Sequence, residues 1–238
     1  MSSSADIQRK LKSGEELEYE EFQKLLARKE EIDDLLDLFR GNQFRIMEED
    51  FAFRSGGSGV AIVVGHTQIA PGASGGPPIS QSEYPWNRDL ATRIKAHCGI
   101  LGVESKIFFR DIVGIGGAYQ QVSQWGARCV FELHFNSFNG TAKGTETLFD
   151  KDRNSGSRAW AQRLQSAMLG ALGTNDRGLK ECDSGDRGFA SVSALNIPSA
   201  LIEPFFGDNV SDATKGHNNK DDLAIALAEA AAAQVATA

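Results

Sequence analysis

Three apolar runs stand out along the chain, and each ends in a side chain able to bind a metal or move a proton. Val60-Ala61-Ile62-Val63-Val64 leads into Gly65-His66, and Phe131-Glu132-Leu133 leads into His134-Phe135-Asn136-Ser137. Ala200-Leu201-Ile202 leads into Glu203. Short runs rich in β-branched and aromatic residues, bounded by glycine and polar residues, predict buried strands. Strands are also predicted over residues 106–110 and 144–149, and the runs around His134 and Glu203 extend over 129–135 and 199–205. Between them the apolar spacing lengthens to that of helices. Leu90, Ile94 and Cys98 mark the buried face of a helix opening near Glu83, and Trp160, Leu164 and Met168 mark another. Residues 116–126 read as a helical connection and 223–235 as an alanine-rich closing helix. Alternating strands and helices predict an α/β domain, a mainly parallel twisted central sheet flanked by helices, over residues 60–238.

Residues 1–54 follow a different pattern. Phe22, Leu25, Leu26, Ile32, Leu35, Leu36 and Phe39 recur at helical spacing among an excess of carboxylates. Several pairs fit the a and d positions of a heptad, so an acidic amphipathic helical segment is expected. Residues 15–40 would fold onto their own domain, self-associate, dock on a carrier assembly or plug the site; the pattern does not choose among these. Ser55-Gly56-Gly57-Ser58-Gly59 reads as a flexible joint, and a joint of this composition occurs in natural and engineered chains alike.

A net charge of -7 argues against a nucleic-acid partner, which asks for a basic face. No apolar run approaches the length of a membrane span. The opening Met1-Ser2-Ser3-Ser4-Ala5-Asp6 lacks the basic and apolar regions of a secretory signal, so synthesis in the cytoplasm is expected. Cys98, Cys129 and Cys182 are odd in number and form no CxxC, which predicts free thiols rather than a disulfide framework or zinc ribbon.

In open α/β sheets the carboxyl ends of the parallel strands form the ligand crevice. His66, His134 and Glu203 are therefore expected to converge there. Glu83 follows a Gly/Pro-rich loop over 67–81 and opens a helix behind the N-cap candidate Ser82. Two histidines and a carboxylate can make a catalytic zinc site with one position open to water. Of the other histidines, His97 falls inside a helix and His217 in a polar stretch read as a loop. Read without any resemblance, these residues support a zinc hydrolase of an amide or ester.

The order Gly65-His66, Glu83 opening a helix, Leu133-His134-Phe135-Asn136-Ser137 and Glu203 resembles the zinc-dependent N-acetylmuramoyl-L-alanine amidases of the amidase-3 family. Gly144-Thr145-Glu146-Thr147, the turn Asp176-Arg177-Gly178-Leu179-Lys180 and the stretch from Pro198 to Glu203 resemble further marks of that family, as do Phe206 and Asn209. The resemblance implies that His66, Glu83 and His134 bind one Zn²⁺ ion and that Glu203 is the general base. It implies peptidoglycan as partner, cut at the amide between N-acetylmuramic acid and L-alanine of the stem peptide, at the cell wall or periplasm. Asn136, Ser137 and Arg177 are candidates for substrate contacts. Thr67 and Ala70 depart from the family's usual residues, as does Glu203-Pro204-Phe205-Phe206, which touches substrate fit rather than the ligands. A phage-lysis enzyme or delivered toxin is the expected setting. The alternatives are a zinc peptidase acting on stem peptides without sugar and a non-catalytic wall-binding module.

Overall fold

The computed structural model describes residues 59–237. The N-terminal amphipathic segment and all of the Gly/Ser joint but Gly59 lie outside the described residues. Among those described, the elements in chain order are β1 (Val60–Val64), α1 (Glu83–Ile100), β2 (Ser105–Phe109), α2 (Gly114–Trp125), β3 (Cys129–Leu133) and β4 (Thr145–Phe149). They continue with α3 (Ser157–Leu172), β5 (Asp176–Glu181), α4 (Phe189–Val192), β6 (Ser199–Glu203), α5 (Val210–Asn218) and α6 (Lys220–Thr237).

The strands form one six-stranded sheet in the order β2-β1-β3-β6-β4-β5. β2, β1, β3 and β6 run parallel, β4 pairs antiparallel to β6, and β5 pairs parallel to β4. The mainly parallel α/β fold expected above is therefore present, with one reversal of direction. Period-two alternation sends successive side chains to opposite faces. Val60, Ile62 and Val64, with Cys129, Phe131, Leu133 and Ile202, enter the larger core beneath α1, α3 and α6. Ala61, Val63 and Val130 face Tyr119 and Val122 of α2 on the other side. The stripes Leu90/Ile94/Cys98 and Trp160/Leu164/Met168 are wholly buried, and the Trp160 Nε1–H donates to the Val130 carbonyl at 2.9 Å. All three cysteines are buried free thiols. No described helix is long and apolar enough to cross a membrane.

Two segments differ from the sequence expectation. Residues 176–180, read as a turn, lie in the edge strand β5, whose side chains are mostly exposed and charged and so carry no apolar alternation. His217, read as part of a loop, sits in the last turn of α5. Asn209 starts that helix by accepting the Asp212 N–H at 3.2 Å, a cap that a polar composition conceals.

Candidate metal centre

β1 and β3 are hydrogen-bonded neighbours in matched register, so their carboxyl ends deliver His66 and His134 side by side. The two imidazoles meet edge to face with centroids 4.8 Å apart. Glycine makes this approach possible, since a Cβ on Gly65 would overlap the His134 ring. His66 itself has φ 65°, a left-handed conformation that costs energy in a non-glycine residue and clusters at functional sites.

Glu83 arrives from the N-terminus of α1. Ser82 occupies the N-cap position without a side-chain cap bond, and the loop before it is tied down by Glu83 N–H to Ala73 O at 3.0 Å and Ala73 N–H to Glu83 Oε2 at 2.7 Å. The carboxylate then faces both histidines, with Oε2 3.0 Å from His66 Nε2 and Oε1 3.2 Å from His134 Nδ1. One donor atom from each residue falls within 4.8 Å of the others. Tetrahedral ligands bonded to one ion at about 2.0–2.1 Å stand about 3.3 Å apart. His66 Nε2 and His134 Nδ1 stand 3.0 and 3.2 Å from different oxygens of Glu83, close to that value. With the three donor atoms within 4.8 Å of one another around a buried carboxylate, the set could hold a single divalent cation.

The protonation states carry the same mark. Burial would push the Glu83 carboxyl up, but hydrogen bonds from His134 and His66 reverse this and hold it at about 2. Burial would lower His134, yet Glu132 and Glu83 on either side of its ring raise it to about 10.

Glu132 completes the surroundings of His134. It is fully buried, accepts from Arg110 Nη1 and Tyr119 Oη at 2.8 and 2.9 Å, and lies 2.8 Å from His134 Nε2. Burial opposes its ionisation, but His134 and Arg110 hold it at about 2. A carboxylate taking the Nε2 proton leaves Nδ1 as the free donor on the Glu83 side, which fixes tautomer and ring angle. Glu132 was not among the residues singled out from sequence. Its parity with His134 in the same strand was the available signal.

Glu203 ends β6, where the His134 N–H donates to Ile202 O at 3.1 Å. Its carboxylate oxygen Oε2 is enclosed and has no hydrogen-bond partner among the described residues. Burial, together with Glu83 and Glu146, raises its pKa to about 8 despite the opposing charges of His134 and Arg187. An acid poised near neutrality and free of partners is suited to proton transfer.

The remaining sequence candidates separate. Asn136 donates through Nδ2 to Glu146 Oε1 at 2.6 Å, and Arg177 donates through Nε to Glu146 Oε2 at 2.8 Å. Glu146 faces Glu203 across the antiparallel β4–β6 pair, so both lie at the sheet edge that carries His66 and His134. Ser137 is half-buried, and its N–H donates to Asn136 Oδ1 at 3.1 Å. His97 is half-buried in the last turn of α1 and His217 is exposed.

At the carboxyl edge of the α/β sheet, His66, Glu83 and His134 thus form a donor set that could hold a metal ion, with Glu203 on the adjoining strand. The sequence profile of the N-acetylmuramoyl-L-alanine amidase family matches residues 60–234, and the chain belongs to that family. Among curated proteins it is 40% identical over 84 residues to the uncharacterized protein YqiI of Bacillus subtilis, covering 35% of this chain and 38% of that protein. It is 29% identical over 192 residues to an uncharacterized cell wall amidase of Bacillus anthracis, covering 73% of this chain and 34% of that protein. The chain thus spans little more than a third of the length of these relatives. Its fold is that of the catalytic domain of CwlV, an amidase of Bacillus (Paenibacillus) polymyxa var. colistinus, with TM-score 0.60, 20% identity and coverage of 72% and 95% of the two chains.

Proposed function

We propose that the protein hydrolyses the amide between N-acetylmuramic acid and the L-alanine of the peptidoglycan stem peptide, acting at the cell wall with one Zn²⁺ ion. The observation that carries this reading is the Glu83 carboxylate set between His66 and His134 with the unpartnered Glu203 on the adjoining strand, in a chain of the amidase family. Two nitrogens and one carboxylate form the donor set of known catalytic zinc sites.

His66 Nε2, Glu83 and His134 Nδ1 would hold the ion. When bound, it would supply Lewis acidity towards the scissile carbonyl and make hydroxide available near neutral pH. Glu203 takes the proton of the attacking water and returns it to the departing amine. Glu132 keeps His134 in one tautomer, and Arg110 and Tyr119 keep Glu132 in place. Asn136 and Ser137 come two and three residues after His134, and Asn136 donates to Glu146 Oε1 at 2.6 Å, so they would border the peptide rather than the ion.

The test is mass spectrometry of purified peptidoglycan after digestion with and without a chelator. The expected products are free stem peptides beginning at L-alanine and matching peptide-free glycan, both abolished by chelation and restored by zinc. Cleavage inside the peptide would move the substrate to that of a peptidase, and no cleavage would remove the amidase reading.

A further inference from the structure

The reversal of strand direction at β4 has a chemical consequence. Because β4 runs antiparallel to β6, the amino ends of β4 and β5 reach the edge where β1, β3 and β6 end. Along that edge the order is His66, His134, Glu203, Glu146 and Arg177, one residue per strand from β1 to β5. The amine that takes the proton back from Glu203 would sit at β6, and a peptide leaving away from His66 and His134 would pass β4 and β5. The metal ligands lie on the opposite side.

Arg177 is held as a prepared group. Its Nε donates to Glu146 at 2.8 Å and its guanidinium stacks 4.9 Å from the centroid of Phe206. Glu146 is in turn fixed by Asn136. Neither Nη has a hydrogen-bond partner among the described residues, and the side chain is 37% exposed. Gly144 leaves room for this pose, since a Cβ there would sit 2.9 Å from Arg177 Cγ. A guanidinium clamped through Nε presents its two Nη groups as a fork, the geometry suited to a carboxylate. An anionic peptide passing Glu203 and Glu146 would otherwise meet like charge.

We propose that Arg177 reads a free carboxylate of the departing peptide, borne on its second or third residue; this rests on the amidase reading above. The position follows from spacing. Two strand intervals of about 4.8 Å separate β6 from β5, and an extended peptide advances about 3.3–3.6 Å per residue.

The experiment uses muramyl tripeptides differing only by amidation of the carboxylate on the second residue, on the third, or on neither. They are cut by the wild type, Arg177→Gln, Arg177→Lys and Arg187→Gln, the last because the Arg187 charge also reaches Glu203. Amidating one of the two positions should lower wild-type kcat/KM about 10- to 100-fold, mainly through KM, as expected for a charged hydrogen bond. Arg177→Gln should lose that preference, its kcat/KM on the free acid falling to its own value on the amidated substrate. Arg177→Lys should keep part of the preference. Equal wild-type rates on all three substrates would overturn the proposal. So would equal losses on all substrates in Arg177→Gln, which marks a brace for Glu146, or a preference lost in Arg187→Gln instead. If no substrate is cut, the amidase reading fails by itself. Calorimetry of the free peptides then decides: discrimination that depends on Arg177 supports the carboxylate site, and its absence overturns it.

Discussion

The catalytic edge has two halves built from opposite strand directions, and they differ in kind. The parallel half, at the carboxyl ends of β1 and β3 with α1 behind, is the more enclosed: Glu83 is 4% and His134 8% exposed with glycine packed directly against their side chains, and the His66 side chain, at 28%, reaches solvent. The other half, at the amino ends of β4 and β5, ends in an open edge strand whose Arg177 is 37% exposed. Enclosure strengthens electrostatic interactions and fixes geometry, which suits a metal centre and proton transfer. An open edge suits a peptide that must enter and leave. Two glutamates beside His134 sharpen the contrast. Glu132, surrounded by donors, is held at about 2, whereas Glu203, whose enclosed Oε2 has no donor among the described residues, rises to about 8.

The comparison can be broken at several points. The largest effect is expected from Glu203→Gln, which removes the proton carrier: kcat should fall about 10²- to 10⁴-fold with one zinc per chain retained, as read by elemental analysis. Next is Glu132→Gln, which leaves the three ligands but loosens His134. Zinc affinity, measured by chelator competition, should weaken about 10- to 100-fold, and an unchanged affinity would make Glu132 only a partner for Arg110.

A third prediction concerns stability without metal. Glu203 keeps its proton to about pH 8 in the fold, whereas an exposed carboxyl titrates near 4.5. A raised folded value stabilises fully below the unfolded pKa and loses that contribution as pH rises through the folded one. Glu203→Gln should therefore match wild type at roughly pH 4.5 in urea unfolding and exceed it at about pH 8, by on the order of 3 kcal/mol. His134, raised to about 10 by Glu132 and Glu83 and in part by the Glu203 charge, contributes in the same direction over higher pH, and less so in Glu203→Gln. The smallest effect belongs to the open half. Gly144→Ala should cost about 1–3 kcal/mol, because φ is 113° and the new Cβ displaces Arg177, yet leave zinc affinity unchanged.

The two halves were also unequally legible in the sequence. His66, His134 and Glu203 were found because buried parallel strands are continuous apolar runs whose ends are easy to place. Glu83 was found from its cap and the Gly/Pro loop before it. Glu132 was passed over because a charge inside an apolar run fits a lone ion pair as well as a histidine partner, and only Arg110, Tyr119 and His134 meeting on it separate the two. Glu146 appeared as a family mark without a role, since nothing local to β4 states that it runs antiparallel. β5 was read as a turn because an edge strand of charged residues around Gly178 has no buried face to betray its period.

The central claim, that the enclosed half separates metal binding from proton transfer, is tested most directly by titrating zinc into Glu203→Gln beside wild type and assaying both on peptidoglycan. The account predicts equal zinc affinity and stoichiometry, with stem peptides released by wild type alone. Release of stem peptides by the variant, or loss of its zinc, would contradict it.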